Sequence, residues 1–297
     1  MTRFGVRNGL RGIGLTYKLE TVLDGLSFGE APRWRREGLY FVDIYVHKIV
    51  LLRSDGIRED IATLDGPISG LGWLPDGRLL VVSMYDKRVL RREANGSFVM
   101  HADLSTIATG HANDMVVTAD GTAFVGNFGF SLHPPKEFRA AVLAKVTPDG
   151  YVSSAATELA FPNGMVITPD ASTIVVAESR GRCLTAFDLS PAFELSNRRT
   201  WAALPDGAFP DGICLDGEGA IWVASPSTCE VLHIREGGRV DERIATGQQA
   251  IACMLGGATR NTLYILTAES REPDVCRLAH RAQVKAVQVA VAGCGLP

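Results

Sequence analysis

The segment PDGICLDGEGAIWVAS, residues 210–225, sets out a short pattern: an acid, an apolar step, a tight Gly-rich turn around Asp216, and then an apolar and aromatic run. The run GAIWVAS is too short for a helix and rich in strand-forming residues, so it reads as a strand entered from a turn. The same layout recurs in FPNGMVITPDASTIVVAES (161–179) and ANDMVVTADGTAFVGN (112–127), while GLYFVDI (38–44), GRLLVVSMY (77–85) and NTLYILTA (261–268) supply the strand of three further units. A unit that recurs implies one architecture that stacks it, because each copy must bury its face against its neighbours.

Aligning the units on those strands gives equivalent positions ten residues upstream: Glu30, Ser69, Asn113, Asn163, Asp211 and Cys253. Their separations are 39, 44, 50, 48 and 42, the size of a four-stranded propeller blade. The expected fold is therefore all-β, a six-bladed β-propeller forming a single domain over residues 1–297, with residues 1–14 as an N-terminal extension. A sandwich has no reason to repeat one unit six times, and a solenoid would show a helix or coil turn in each repeat. Residues 15–26 are expected to close the ring by pairing beside the alternating tail VKAVQVAVAG (284–293), removing an open sheet edge. The excursion FSLHPPKEFR (130–139) reads as a loop in the third unit, a candidate lid.

The 30 Lys plus Arg against 33 Asp plus Glu leave a formal charge of −3, and 46% of the 297 residues are hydrophobic. Such a balance excludes a nucleic-acid footprint and a disordered chain. No stretch has the apolar length of a membrane span, and the opening residues lack a secretory apolar core, so the expected setting is cytoplasmic. The expected partner is a small molecule, and the expected assembly a monomer or small homo-oligomer. Six cysteines (Cys183, Cys214, Cys229, Cys253, Cys276 and Cys294) show no C-x-x-C pair and read as reduced, packed thiols.

If the repeated run is the innermost strand of each blade, the residues just before it gather at one mouth of the central channel. Four of the six carry oxygen donors: the carboxylates of Glu30 and Asp211 and the amides of Asn113 and Asn163. Asn-Gly and Asp-Gly pairs are ordinary turn signals singly. Recurring in one register, they bring two acids together at low dielectric, which calls for a cation. Oxygen donors without His or Cys suit a hard divalent ion, calcium first, with magnesium, manganese or zinc as substitutes. Ser69 and Cys253 complete the wall. No G-x-S-x-G elbow supports a serine hydrolase.

The stretches GEAPRW with LYFVDI, ANDMVV, FPNGMVITPD, LTAFDLS with LSNRRTW, PDGICLDGEGAIWVA and ACMLGG, in that order from residue 29 to about 267, resemble the senescence marker protein, gluconolactonase and luciferin-regenerating enzyme family. The resemblance implies a six-bladed propeller with one divalent ion at the top of the channel and metal-dependent lactone hydrolysis. It also implies that Glu30, Asn163 and Asp211 are the metal ligands, that Asp211 is general base and acid, and that Asn113 faces the substrate. These are the positions the repeat register selects. Sugar-lactonase members place an arginine where this chain has His111 and a second acid where it has Ser131, so the expected lactone or ester is less hydroxylated or bound in another orientation. His111 and Asn127 are further candidate substrate contacts. In the expected mechanism the cation polarises the carbonyl while Asp211 takes a proton from water and returns it to the leaving alkoxide. A phosphotriesterase using the same ion, or a non-catalytic metabolite- or calcium-binding propeller, are the alternative functions.

Overall fold

The protein is described by a computed structural model covering residues 17–132 and 136–297. The expected extension, residues 1–14, lies outside the described residues, as do residues 133–135 of the candidate lid.

Each repeat forms a four-stranded antiparallel sheet, and six such blades form a ring. In the third blade Ala112–Val117, Ala123–Asn127, Ala141–Val146 and Val152–Leu159 pair in sequence order, with short turns at the first and third connections and the candidate lid in the second. The turn signals have a side-chain cause: Asp76, Asp120 and Asp170 each accept, through Oδ1, the N–H two residues on, at 3.0, 3.0 and 3.1 Å.

The strand that announces each repeat is the second from the axis, which corrects its expected place as the innermost. The innermost strands are Gly29–Arg35, Ile68–Trp73, Ala112–Val117, Pro162–Ile167, Ile213–Leu215 and Gln249–Gly256, and each touches the next around the ring, the last touching the first. The reason is burial. A second strand such as Ile221–Ser225 is covered on both faces by neighbouring blades and so reads as an unbroken apolar run. Innermost strands crowd around the axis and need glycines: a Cβ on Gly164 would lie 2.7 Å from the backbone nitrogen of Ile213 in the next blade.

In the first four blades the innermost strand slips register against the second at the same place, between Glu30 and Arg33, Ile68 and Leu71, Ala112 and Met115, and Pro162 and Met165. Bulges of this kind bend a strand and re-aim its side chains. The core lies between blades. Phe124 and Leu143 of the third, for example, share a buried cluster with Met165 and Ile174 of the fourth.

The ring closes as the sequence predicts. Glu20–Leu26 forms the outermost strand of the sixth blade, antiparallel to Ala282–Gln288 with Leu23 opposite Val284 and Leu26 opposite Ala282. Asp43 then guides the chain into the first blade, its Oδ1 accepting from the N–H groups of Ser27 (3.0 Å) and Phe28 (2.9 Å). The tail beyond residue 289 straps the opposite end of the ring: Cys294 N–H donates to Leu215 O at 3.1 Å, and Ile167 and Leu296 exchange backbone hydrogen bonds of 2.9 and 3.1 Å. Among the described residues no helix is long and apolar enough to cross a membrane.

Candidate functional site

The register slips lie where the sequence places its oxygen donors. Asn113 and Asn163 sit inside the slips of the third and fourth blades, Glu30 stands at the start of the slip in the first, and Asp211 lies just ahead of the short strand Ile213–Leu215 in the fifth. All four line one cavity of about 400 Å³ at that end of the channel. The other two ring positions support the wall from behind: Ser69 Oγ donates to the backbone carbonyl of Asn113 at 2.7 Å, and Cys253 is buried with its thiol against Trp222 O at 3.3 Å.

Local geometry holds the donors in place. Ala31 takes a left-handed φ of 48°, uncommon for a residue with a Cβ, and its N–H donates to Glu30 Oε2 at 2.6 Å. Asp211 is pinned through its backbone, the N–H donating to Ala224 O (2.9 Å) and the carbonyl accepting from Gly164 N–H (3.2 Å). Asn163 Nδ2 donates to Asp211 Oδ1 and, at 3.2 Å, to Ser179 Oγ. The Asn113 amide reaches the fourth blade, Nδ2 donating to Pro162 O at 3.4 Å.

Beneath this floor lies an ion pair that no repeat register announces. Buried Arg33 pairs with buried Asp114 at 2.7 Å and also donates to Leu71 O at 3.0 Å, tying together the innermost strands of the first three blades. Arg33 answers the Asp114 charge, which leaves the floor acidic. Burial, and then the charges of Asp211 and Asp114, hold the Glu30 carboxyl well above the usual range. Burial pushes Asp211 up to about 6 against the opposing pull of Arg271 and of the Asn163 hydrogen bond. Two carboxyls that resist ionisation together are groups whose charge a nearby cation would stabilise.

Among the described residues no group of three or more His, Cys, Asp or Glu side chains could hold a metal ion. The set here is instead two carboxylates and two carboxamides, all hard oxygen donors on one cavity floor, and it fits a hard divalent cation better than a soft one.

Above the floor the wall is aromatic. The His111 ring lies against Tyr85 (4.3 Å between centroids) and Phe128 (5.9 Å), and Phe128 meets Phe161 edge-on at 4.5 Å. His111 lines the cavity within an aromatic group. Asn127 does not, and its expected substrate contact needs correcting: it lies on the second strand, buried, with Oδ1 accepting from Gly129 N–H (2.9 Å) and Nδ2 donating to Val142 O (2.8 Å). Of the candidate lid, Leu132 reaches the cavity wall and Phe130 is buried against Phe138 and Phe161. Arg271, from the loop ahead of the helix Pro273–Ala279, was not foreseen; it comes from an irregular part of the sixth unit where the register says nothing.

Residues 28–269 match the family described as the SMP-30/gluconolactonase/LRE-like region. The chain belongs to this family. Family relatives include regucalcin from Macaca fascicularis, 26% identical over 86% of this chain and 89% of that protein, and pentonolactonase XacC from Haloferax volcanii, 24% identical over 81% of each. The fold is shared with luciferin-regenerating enzyme (TM-score 0.80, 19% identity, 94% of this chain and 98% of that one). It is also shared with a regucalcin from Agrobacterium tumefaciens described as a calcium-binding protein (TM-score 0.79, 19% identity, 95% and 97%). Membership in a lactonase family brings lactone hydrolysis and a small-molecule substrate to the chain at family level.

Proposed function

We propose that the protein is a divalent-cation-dependent lactonase in which Glu30, Asn163 and Asp211 hold the ion and Asp211 moves the proton. The observation that carries this reading is the convergence of two carboxyls and two carboxamides, from four separate blades, on the floor of one cavity. Pentonolactonase XacC supports the reaction class, and the calcium-binding neighbour supports calcium as the ion. A divalent cation held by Glu30, Asn163 and Asp211 would supply Lewis acidity for the lactone carbonyl and offset developing negative charge.

The chain's own residues do the rest. Asp211, fixed by its backbone, accepts a proton from the attacking water as the new C–O bond forms at the carbonyl carbon. It returns that proton to the ring oxygen as the ring C–O bond breaks. The product is a hydroxy acid that ionises and releases one proton to solution. Asn163 takes part through its carboxamide, which already contacts Asp211. Asn113, whose backbone carbonyl accepts from Ser69, donates to the substrate in this reading. The six free cysteines support a reducing, cytoplasmic setting.

The test is hydrolysis of a lactone panel, followed by acid release, with calcium or with chelator, for the wild type and Asp211→Asn. Turnover should fall by at least about a hundredfold on chelation or substitution. Turnover indifferent to both would sink the mechanism.

A further inference from the structure

We propose that the substrate is a lactone bearing an apolar alkyl or aryl arm and that polyhydroxylated sugar lactones are disfavoured. This rests on the hydrolytic reading above and names what the same cavity selects. The polar side chains that could act on a lactone ring are confined to the floor. Above them stands a collar built from five blades, including Phe28 of the first, Met84 of the second, Phe128 and Leu132 of the third, Phe161 of the fourth and Phe209 of the fifth.

Of the polar groups within the collar, Ser179, Tyr45 and His111 are already engaged. Ser179 Oγ donates to Pro210 O at 2.7 Å while accepting from Asn163, Tyr45 Oη donates to Arg271 O at 3.1 Å, and the His111 ring is packed between Tyr85 and Phe128. The charged groups Arg180, Arg271 and Glu272 stand at the exposed rim. A sugar lactone seated with its carbonyl at the floor would therefore turn its hydroxyls toward phenylalanine faces, losing water without gaining partners. An apolar arm gains there instead, and a cavity of about 400 Å³ holds considerably more than a bare five- or six-membered ring.

The experiment uses the full chain with calcium and a series of γ-lactones whose alkyl arm grows from methyl to heptyl, beside two aldonolactones. The expected kcat/KM rises about fourfold per methylene until the collar is filled, the change that burial of one methylene corresponds to. The aldonolactones should fall below the whole series. Phe209→Ser and Tyr85→Ser, the latter at a side chain 50% exposed and so tolerable to the fold, should each flatten the dependence on arm length. A flat wild-type series, or aldonolactones turned over as well as the heptyl compound, overturns the proposal.

If no lactone turns over, the hydrolytic reading fails, and the collar is tested separately by calorimetry with γ-alkyl lactams, which resist hydrolysis. Affinity rising with arm length upholds the apolar class, and affinity independent of it refutes that class.

Discussion

Asp211 shares its floor with Glu30 and, one layer below, with Asp114, whose charge Arg33 answers at 2.7 Å. Its carboxyl is pushed up to about 6 from 3.8, chiefly by burial. The unfolded chain ionises Asp211 first as pH rises, so the native state holds the proton longer and loses relative stability between about pH 4 and 6. Each pKa unit is worth about 1.4 kcal/mol, so a rise from 3.8 to about 6 corresponds to a penalty of about 3 kcal/mol at pH 7. Asp211→Asn removes that charge and keeps the shape. We expect it to stabilise the chelated protein by about 3 kcal/mol at pH 7 and by only about 0.5 kcal/mol at pH 4, while abolishing the added stability that the proposed calcium ion would give the wild type. Urea unfolding at both pH values, with and without calcium, checks this; equal stability of the two chelated proteins at pH 7 would remove the electrostatic account. Glu30, Asn113, Asn163 and Asp211 were legible in the sequence because one register selects them all. Arg33, Asp114 and Arg271 were not, since each acts through a partner the register does not pair it with. Asn127 misled because a polar residue on a second strand was read as facing the axis, when its amide holds the 127–129 turn instead.

At the scale of the strand, spacing revealed that there are six units but not which strand of each lies innermost. The apolar run is the easier signal because two neighbouring blades cover it, whereas the innermost strand mixes glycine with polar residues and looks like a loop. Those glycines set how closely blades approach. Gly164 follows Asn163 directly, and a Cβ there would lie 2.7 Å from Ile213 N and 2.8 Å from Asp211 O. Since both obstacles are backbone, relief requires the fifth blade to move outward, and Asp211 with it. Gly164→Ala should cost about 1–3 kcal/mol in denaturant unfolding, the usual range for overpacking. It should also weaken calcium binding although the substitution touches no ligand side chain. Calcium affinity equal to wild type would mean that the backbone hydrogen bond from Asp211 to Ala224 within the fifth blade, and not the blade spacing, fixes Asp211.

At the scale of the whole ring, closure happens twice and by different means. The strand Glu20–Leu26 completes the sixth blade, yet its side chains are largely exposed apart from Leu26, so it contributes mainly by pairing with the edge of Ala282–Gln288. The carboxyl-terminal tail straps the other end of the ring through backbone hydrogen bonds to Leu215 and Ile167, the last residues of two innermost strands. The sequence disclosed the first closure, because alternation at both ends of the chain leaves one strand missing and one spare. It did not disclose the second, because the tail is held largely by backbone hydrogen bonds, with Cys294 and Leu296 adding side-chain contacts, and leaves no repeating side-chain pattern. The two should fail differently. Removing residues 293–297 deletes a few hydrogen bonds and should lower stability by about 2 kcal/mol with no change in elution on size exclusion. Removing residues 1–26 bares the N–H and C=O groups of Ala282–Gln288 and should give concentration-dependent oligomers, since an unpaired flat edge recruits another strand. Identical behaviour of the two truncations, both monomeric or both self-associating, would show that pairing at the sixth blade is not what keeps the edge from recruiting a second chain.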